Sequence, residues 1–250
     1  MKKSRLLGAV CACVISSIPL SAFAVGVPSQ GTWETTLLPR SLDGDNTTAE
    51  AYYDTVLEIT WLADANANGR MTWDAANTWA AGLDFGPGID EWRLPTMIDT
   101  GTSGCNDSRT GGTDCGYNVQ TGSASITVYS EMASMFYDTL GNLAYYTPAT
   151  GVPQPGYGLT NTGPFDNLQS GIYQPGDYWS GLEYAPDTGL AWYFYFNDGY
   201  QAIDFKGNGY FAFAVHSGDV GASIVPVPAA VWLFVSGLLA LAGLGRQHRR

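Results

Sequence analysis

The sequence predicts a loop-rich α+β domain with short antiparallel strands and about two helices, followed by a C-terminal transmembrane helix. Composition supports the domain prediction, because the chain holds 31 Gly, 15 Tyr and 8 Trp but only 11 Lys and Arg together. Long helices favour Ala, Leu, Glu and Lys, whereas short strands joined by polar turns favour this mixture. An uncharged apolar run near the C-terminus accounts for the transmembrane prediction.

The first half of the domain contains one strand pattern and two helix patterns. From Tyr53 to Leu62, an alternating run of apolar and polar residues indicates a half-buried strand. Thr72 is a suitable N-cap, and helical spacing of the apolar residues that follow predicts a helix over Trp73 to Gly82. A second helix is expected around Ser130 to Leu140. Residues 144–175 are rich in Gly, Pro, Asn and Thr, and connections of that length are usually functional or mobile.

The second half of the domain has the pattern of a three-stranded meander. A strand run begins at Tyr178-Trp179-Ser180. The strongly β-prone segment Leu190 to Phe196 is the first strand of the meander, and Asn197-Asp198-Gly199 predicts a turn into the second strand, Tyr200 to Phe205. The predicted third strand runs from Tyr210 to Val215, after a turn at Asn208-Gly209.

Both ends of the chain have the patterns of export and membrane anchoring. Basic residues, an apolar run and Ala22-Phe23-Ala24 predict a secretory signal peptide over 1–24. Residues 25–50 form an irregular lead-in. Residues 229–245 carry no charge and would span about 26 Å as a helix, close to the ~30 Å hydrocarbon core. The basic residues after this run place the domain outside the cytoplasm.

The tail, residues 225–250, reads VPVPAAVWLFVSGLLALAGLGRQHRR and resembles the PEP-CTERM family of bacterial sorting tails. The resemblance implies that an exosortase-like enzyme recognises the tail. The protein would then be anchored in the membrane or released to the cell surface or matrix. Val227 stands where the family has Glu, so cleavage stays open. The residues that carry the motif are Pro226, Pro228, Trp232, Arg246, Arg249 and Arg250.

Charge narrows the classes of partner. All 23 acidic residues lie between the two ends, and the chain has a formal net charge of −12. Such a field repels nucleic acid, so nucleic-acid binding is excluded, whereas cations and neutral sugars are compatible partners. Cys105 and Cys115 lie in a polar Gly/Asn/Asp loop of an exported chain, which predicts one disulfide closing that loop.

The middle of the chain, residues 51–222, resembles the Lcl C-terminal domain-like family, a domain of unknown function. The motifs that carry the resemblance are WLADANANGRMTWDAANTWAAGL, DEWRLPT, DYWSG and AWYFYFNDGYQ, followed by AFAVHSGD. Trp-Arg-Leu-Pro-Thr is the most specific of them. The resemblance implies a C-type-lectin-like fold and adhesion or glycan binding. His216 stands where the family usually has Arg, and the calcium and sugar signature of C-type lectins is missing from the sequence.

A calcium site is one interpretation of Asp64-Ala65-Asn66-Ala67-Asn68-Gly69. Asp64, Asn66 and Asn68 match the first half of an EF-hand loop, with Gly at the position of its sharp turn. The second half fails, because the twelfth position is Ala75 rather than Glu. The alternative is an Asx-rich turn that leads into the capped helix.

Candidate ligand-binding residues are Trp92, Arg93, Trp179, Trp192 and Tyr195. Sugars stack on aromatic rings, but alternation along strands buries about half of such rings in the core. Arg93 equally suits a structural pair with a core carboxylate. No nucleophile or metalloprotease motif occurs, so we expect a binding protein rather than an enzyme. The sequence thus favours polysaccharide or surface binding. The alternatives are a structural matrix component without a discrete ligand and a carboxylate-dependent glycoside hydrolase.

Overall fold

The computed structural model describes residues 30–101, 108–123, 125, 129–171 and 176–223. The predicted signal peptide lies outside these residues. The predicted sorting tail, including the segment 229–245, also lies outside them. Within the described residues no helix has the length and apolar character needed to cross a bilayer. The structure therefore concerns the domain between the two ends.

The described part consists of two antiparallel sheets and few helices. In chain order the elements are α1 (Trp33–Thr36), β1 (Leu37–Ser41), β2 (Ala51–Asp54), β3 (Ile59–Leu62), α2 (Trp73–Ala81), β4 (Gly116–Tyr117), α3 (Glu131–Ala133), the π-helical segment π1 (Ser134–Thr139), β5 (Asp177–Glu183), β6 (Leu190–Tyr195), β7 (Tyr200–Phe205), β8 (Val215–Ser217) and β9 (Ala222–Ser223). The prediction of an α+β domain with few helices is thereby confirmed.

The five-stranded sheet has the order β8-β3-β2-β1-β9. Its centre is a hairpin, where the sequence predicted one continuous strand over 53–62. That prediction is wrong because the Asp54 carboxylate accepts hydrogen bonds from the backbone N–H groups of Val56 (2.9 Å) and Leu57 (3.1 Å) and turns the chain. Glu58 completes the turn with a φ of +55°. Ile59 then pairs with Asp54, and β3 is buried along its whole length.

The four-stranded sheet has the order β4-β7-β6-β5. Its last three strands form a meander, with the predicted turn after β6 bringing Tyr200 opposite Tyr195. The predicted third strand, Tyr210 to Val215, does not belong to this meander. Tyr210 bridges Met71, Phe211 bridges Tyr178, and Val215 joins β3 in the other sheet. The segment after β7 therefore connects the two sheets, a long-range pairing that local turn signals do not encode.

The predicted helix over 73–82 is confirmed as α2. Its buried residues are Ala76 and Ala80, with Trp73, Trp79 and Leu83 packed beside them, as the apolar spacing required. Thr72 takes the extended N-cap conformation but makes no side-chain capping hydrogen bond. The second predicted helix is also present. Its second half is a π-helix, a rare form that residue propensities do not encode.

Two apolar clusters hold these elements together. The larger one joins the inner sides of both sheets to α3 and π1 through rings such as Trp61, Phe136 and Phe194. The smaller one packs α2 against Trp92, Trp179 and neighbouring residues. The four-stranded sheet consequently has one side in the larger cluster. Its other side contributes Trp179 and Ala191 to the smaller cluster, and the remainder of that side positions the candidate site.

Candidate functional site

The two sides of the four-stranded sheet differ in chemistry. Residues that pair directly across strands point to the same side, so registers define each side. One row is Tyr178, Phe194 and Gln201, all of them buried. The neighbouring row is Asp177, Tyr195, Tyr200 and Tyr117, in which the tyrosines remain half-buried. The sheet thus presents tyrosine rings and a carboxylate on its outer side.

Further tyrosines adjoin this outer row, and together these rings are here called the tyrosine face. Rings from the long connection after π1 contact the strand rings. Tyr117 lies 4.8 Å from Tyr146 and 4.9 Å from Tyr200, and Tyr145 lies 4.7 Å from Tyr157, between ring centroids. The members of the tyrosine face are Tyr117, Tyr145, Tyr146, Tyr157, Tyr193, Tyr195, Tyr200 and Tyr210.

The connection that supplies these rings is fixed by hydrogen bonds. The Tyr145 N–H donates to the Asp198 carbonyl at 2.9 Å, which ties the connection to the turn after β6. Asn118 donates from Nδ2 to the carbonyls of Arg109 (2.9 Å) and Tyr146 (2.8 Å). The Arg109 guanidinium lies 4.6 Å from the centre of the Tyr146 ring. These contacts hold the rings in place before any ligand arrives, which lowers the entropy lost on binding.

A cavity of about 300 Å³ adjoins this part of the tyrosine face. Its polar lining includes the amides of Asn118, Asn142 and Gln154 and the hydroxyl of Thr121. Gln154 donates from Nε2 to the Ala144 carbonyl at 2.7 Å, and Asn118 donates to the Tyr146 carbonyl at 2.8 Å. Lining residues of the cavity therefore bind the same backbone segment that carries Tyr145 and Tyr146. The volume of the cavity is at the lower end of the range for small-ligand sites.

Carboxylates border the tyrosine face. Asp198 accepts a hydrogen bond from the Tyr117 hydroxyl at 3.2 Å, and its other oxygen is buried without a partner among the described residues. Burial raises the pKa of Asp198 to about 6, although the Tyr117 hydrogen bond acts in the opposite direction. The Tyr210 hydroxyl donates to Asp204. The face therefore combines ring surfaces with hydrogen-bond acceptors, one of which, Asp198, has a pKa raised by burial.

Asp177 lies at the end of the cross-strand row and behaves similarly. Burial raises the pKa of its carboxyl to about 6. Arg70 partly opposes this shift, while the negative charges of Asp204 and Asp198 reinforce it. Two acidic groups with raised pKa values beside half-buried rings are typical of a functional site.

Of the five predicted ligand-binding residues, three are core residues. Trp92, Trp179 and Trp192 are at most 2 % exposed. Their indole N–H groups donate inside the protein, to the carbonyls of Ile89 and Met71 and to the Asp99 carboxylate. Their prediction as stacking platforms is therefore corrected, because a sugar cannot reach a buried ring face. The fourth, Tyr195, belongs to the tyrosine face.

Arg93 has the structural role that the sequence left open. Its guanidinium makes two hydrogen bonds of 2.8 Å to the Glu131 carboxylate, whose side chain is 1 % exposed. Glu131 also accepts from the Thr96 N–H at 2.7 Å. Burial lowers the pKa of Arg93, but the bonds and charge of Glu131 outweigh it and leave the pKa raised. This pair joins α3 to the segment after Trp92, while the Arg93 side chain stays 36 % exposed.

The three residues predicted to bind calcium form a turn. Asp64 accepts hydrogen bonds from the Asn66 N–H (2.9 Å) and from Asn167 Nδ2 (3.1 Å), as in an Asx turn. Gly69 takes a φ of +69°, which suits the sharp bend. The described residues contain no cluster of three or more His, Cys, Asp or Glu side chains able to hold a metal ion. The calcium site stays a prediction.

Only one cysteine of the predicted disulfide, Cys115, lies within the described residues. Cys115 is fully buried and disulfide-bonded. Cys105, its predicted partner, lies outside the described residues, as do all six residues of the predicted sorting motif.

Sequence reasoning missed most of the tyrosine face. A signal for it was present on β6, where Trp192 and Phe194 alternate with Tyr193 and Tyr195. Buried positions of a strand favour purely apolar rings, whereas the hydroxyl of Tyr favours the side that meets water.

Comparison of the chain with protein-family models, curated proteins and solved structures gave no match to any of them.

Proposed function

We propose that this chain is an exported surface or matrix protein that binds a polysaccharide through the tyrosine face. The observation that carries the proposal is a set of tyrosine rings, half-buried or exposed, that contact one another around Tyr117 and are bordered by carboxylates and amides. The C–H faces of a sugar pack against aromatic rings, while its hydroxyls donate to carboxylate and amide oxygens. We also propose that the fold of the domain is related to that of C-type-lectin-like domains.

The charge of the domain favours neutral glycans over acidic ones. The chain carries a formal net charge of −12, and Asp177, Asp198 and Asp204 border the tyrosine face. A polymer rich in uronic acids or sulfates would be repelled by these groups. We therefore expect neutral hexose polymers to bind better than acidic polymers at neutral pH.

The ends of the chain support the location. The signal-peptide pattern over 1–24 favours export, and the tail over 225–250 favours membrane anchoring and recognition by an exosortase-like enzyme. In this proposal the domain stands outside the cytoplasm and reaches surface polysaccharide. Calcium is retained as a candidate cofactor of the turn that begins at Asp64.

The proposal is tested by screening the exported protein, purified with its disulfide intact, against neutral and acidic polysaccharides with calcium and with chelator. We expect saturable binding to neutral glycans. Tyr146→Ala and Tyr200→Ala should each weaken it about tenfold, by analogy with the affinity lost when an aromatic ring that stacks on a nucleic-acid base is replaced by alanine. Phe205→Ala is the matched control. Phe205 is 67 % exposed on β7 but points away from the side of Tyr200.

Two outcomes would contradict glycan binding by the tyrosine face. Equal affinity for the parent and both tyrosine variants would remove the tyrosine face as the site. Absence of saturable binding under every condition would favour the structural matrix component without a discrete ligand.

A second candidate, an exported glycoside hydrolase, is favoured by one observation. Asp177 and Asp198 both border the tyrosine face, and burial raises the pKa of each carboxyl group to about 6, the direction that a general-acid carboxyl group requires. Hydrolysis of a bound glycan that is lost in Asp177→Asn and Asp198→Asn, with binding retained, would establish it. Binding without turnover in the parent protein would leave the domain a lectin.

A further inference from the structure

A second concave site lies away from the tyrosine face. A groove of about 500 Å³ is lined by Leu62 of β3, Trp79 of α2, Phe85, and the carboxylate residues Glu50, Asp64 and Asp166. It is called the acidic groove below. It shares no lining residue with the tyrosine face, so it does not depend on glycan binding there. It includes Asp64, however, so an organic cation and the calcium ion considered for the turn at Asp64 would be competing occupants.

Backbone contacts hold the acidic groove in shape. Asp64 and Asp166 form a parallel bridge, in which the Ala65 N–H donates to the Asp166 carbonyl and the Asp166 N–H donates to the Ala63 carbonyl, both at 2.9 Å. Glu50 accepts from the Leu42 N–H at 2.9 Å, which fixes its carboxylate. The turn that begins at Asp64 thus contributes one wall of a preformed concavity.

The negative charge of the acidic groove is not neutralised by the protein. The ion pairs of the described residues are Arg40–Asp219, Arg93–Glu131 and Lys206–Glu183, and none includes Glu50, Asp64 or Asp166. The two other arginines between the chain ends are engaged elsewhere. Arg70 donates to the Gly209 carbonyl at 2.6 Å, and Arg109 lies over Tyr146. An external cation would therefore complement this site.

Trp79 and Phe85, which form the aromatic wall of the acidic groove, indicate which kind of cation the groove would bind. Trp79 and Phe85 are half-buried, and Phe85 packs edge-to-face on Trp92 at 5.6 Å, which fixes its ring. Cations with apolar substituents are attracted to such ring faces. A calcium ion, by contrast, requires six to eight oxygen ligands, which this largely apolar lining does not supply.

We propose that the acidic groove binds a free small organic cation of the alkylammonium class. The ammonium group lies among Glu50, Asp64 and Asp166, and the apolar substituents contact Trp79 and Phe85. The acidic lining selects the positive charge, and the aromatic wall selects an organic cation over a hydrated metal ion.

The test is titration of the exported protein with choline and with 3,3-dimethyl-1-butanol, its uncharged isostere, followed by calorimetry and tryptophan fluorescence. Choline is expected to bind saturably and at least tenfold more tightly than the isostere. Trp79→Leu keeps an apolar side chain but removes the ring, and should weaken choline binding roughly threefold, as expected for a solvent-accessible cation–π contact.

Asp166→Asn provides the charge test, because Asp166 is exposed and its substitution leaves the backbone bridge intact. It should weaken choline binding severalfold, whereas Asp74→Asn, which removes an exposed charge outside the groove, should leave it unchanged. Equal affinity for choline and its isostere, unchanged affinity in Trp79→Leu and Asp166→Asn, or displacement of choline by micromolar calcium would overturn the proposal. Loss of glycan binding by tyrosine-face variants would leave this result unaffected.

Discussion

The inner and outer sides of the four-stranded sheet are built from the same strands, yet they hold their rings for different purposes. On β6, Trp192 and Phe194 are fully buried, while their neighbours Tyr193 and Tyr195 stay half-buried. The inner rings stabilise the domain through buried apolar area. The outer tyrosines remain partly accessible, and several of them contact one another or a carboxylate. The comparison teaches that alternation along one strand separates the rings that are buried for stability from the rings for which we propose a role in recognition.

The largest expected effect is on the inner side. Phe194→Ala should reduce the free energy of unfolding by about 3–5 kcal/mol, because it leaves a cavity among Phe136, Tyr178 and Phe196. Tyr195→Ala on the adjacent outer position should cost much less. Urea unfolding of both variants measures this difference, and similar losses for the two would refute the division between the sides.

The next effect extends the comparison from rings to ion pairs. Arg93→Met leaves the buried Glu131 carboxylate unpaired and should destabilise the domain by about 3 kcal/mol. Lys206→Met is the matched change at the surface, where the Glu183 side chain is 41 % exposed. It should cost less than about 1 kcal/mol. Thermal unfolding of the two variants gives the test, and a larger loss from Lys206→Met would contradict it.

A smaller effect concerns the carboxylates of the outer side. The pKa of Asp177 is about 6 in the folded protein against an ordinary value of 3.8. Between these values the unfolded chain loses its proton first, so stability should fall as the pH rises from about 4 to 6 and stay lower above that.

Asp177→Asn should therefore stabilise the domain at pH 7 by on the order of 1 kcal/mol and leave it unchanged at pH 4. Unfolding free energies of the parent and the variant across this pH range are the measurement. A parent protein that becomes more stable as the pH rises from 4 to 6 would show that the ionised carboxylate is favoured in the folded state.

The smallest effect on stability is expected at the rim of the tyrosine face. Tyr157 is 43 % exposed, so Tyr157→Ala should change the free energy of unfolding by less than about 0.5 kcal/mol. The same variant should weaken glycan binding severalfold. Parallel unfolding and binding measurements separate the two quantities, and a large loss of stability would place Tyr157 with the inner rings.

Local patterns allowed some of the fold to be predicted. The helix from Trp73 and the turn at Asn197-Asp198-Gly199 depend on residues close in sequence, and both are present in the structure. The hairpin after Asp54 was missed because one side chain turns the chain within an otherwise strand-like run. The path of the chain from Tyr210 to β8 was missed because it depends on partners more than a hundred residues away, such as Met71 and Arg93.

The candidate site was predicted only at Tyr195. Residue type alone favoured the tryptophans, which are the largest rings, but in this domain their size places them in the core. The tyrosine face unites residues of β4, β6 and β7 with the connection after π1, which has no repeating pattern. Tyr145, Tyr146 and Tyr157 come to Tyr117 through backbone contacts such as the Tyr145 N–H to the Asp198 carbonyl. Such contacts follow from the completed fold and have no signature in sequence spacing.

The short ladder between β1 and β9 gives the domain a mechanical character. Arg40 pairs with Ser223 and Ser41 with Ala222, and the Arg40 guanidinium binds Asp219. Because the strands are antiparallel, the chain enters β1 and leaves β9 at the same end of the ladder. Tension between these two points acts on the ladder in the unzipping direction, so its two residue pairs separate one after the other. Under our proposal of a tethered domain, such tension would open this edge of the five-stranded sheet, whereas the tyrosine face is built largely on the strands of the other sheet.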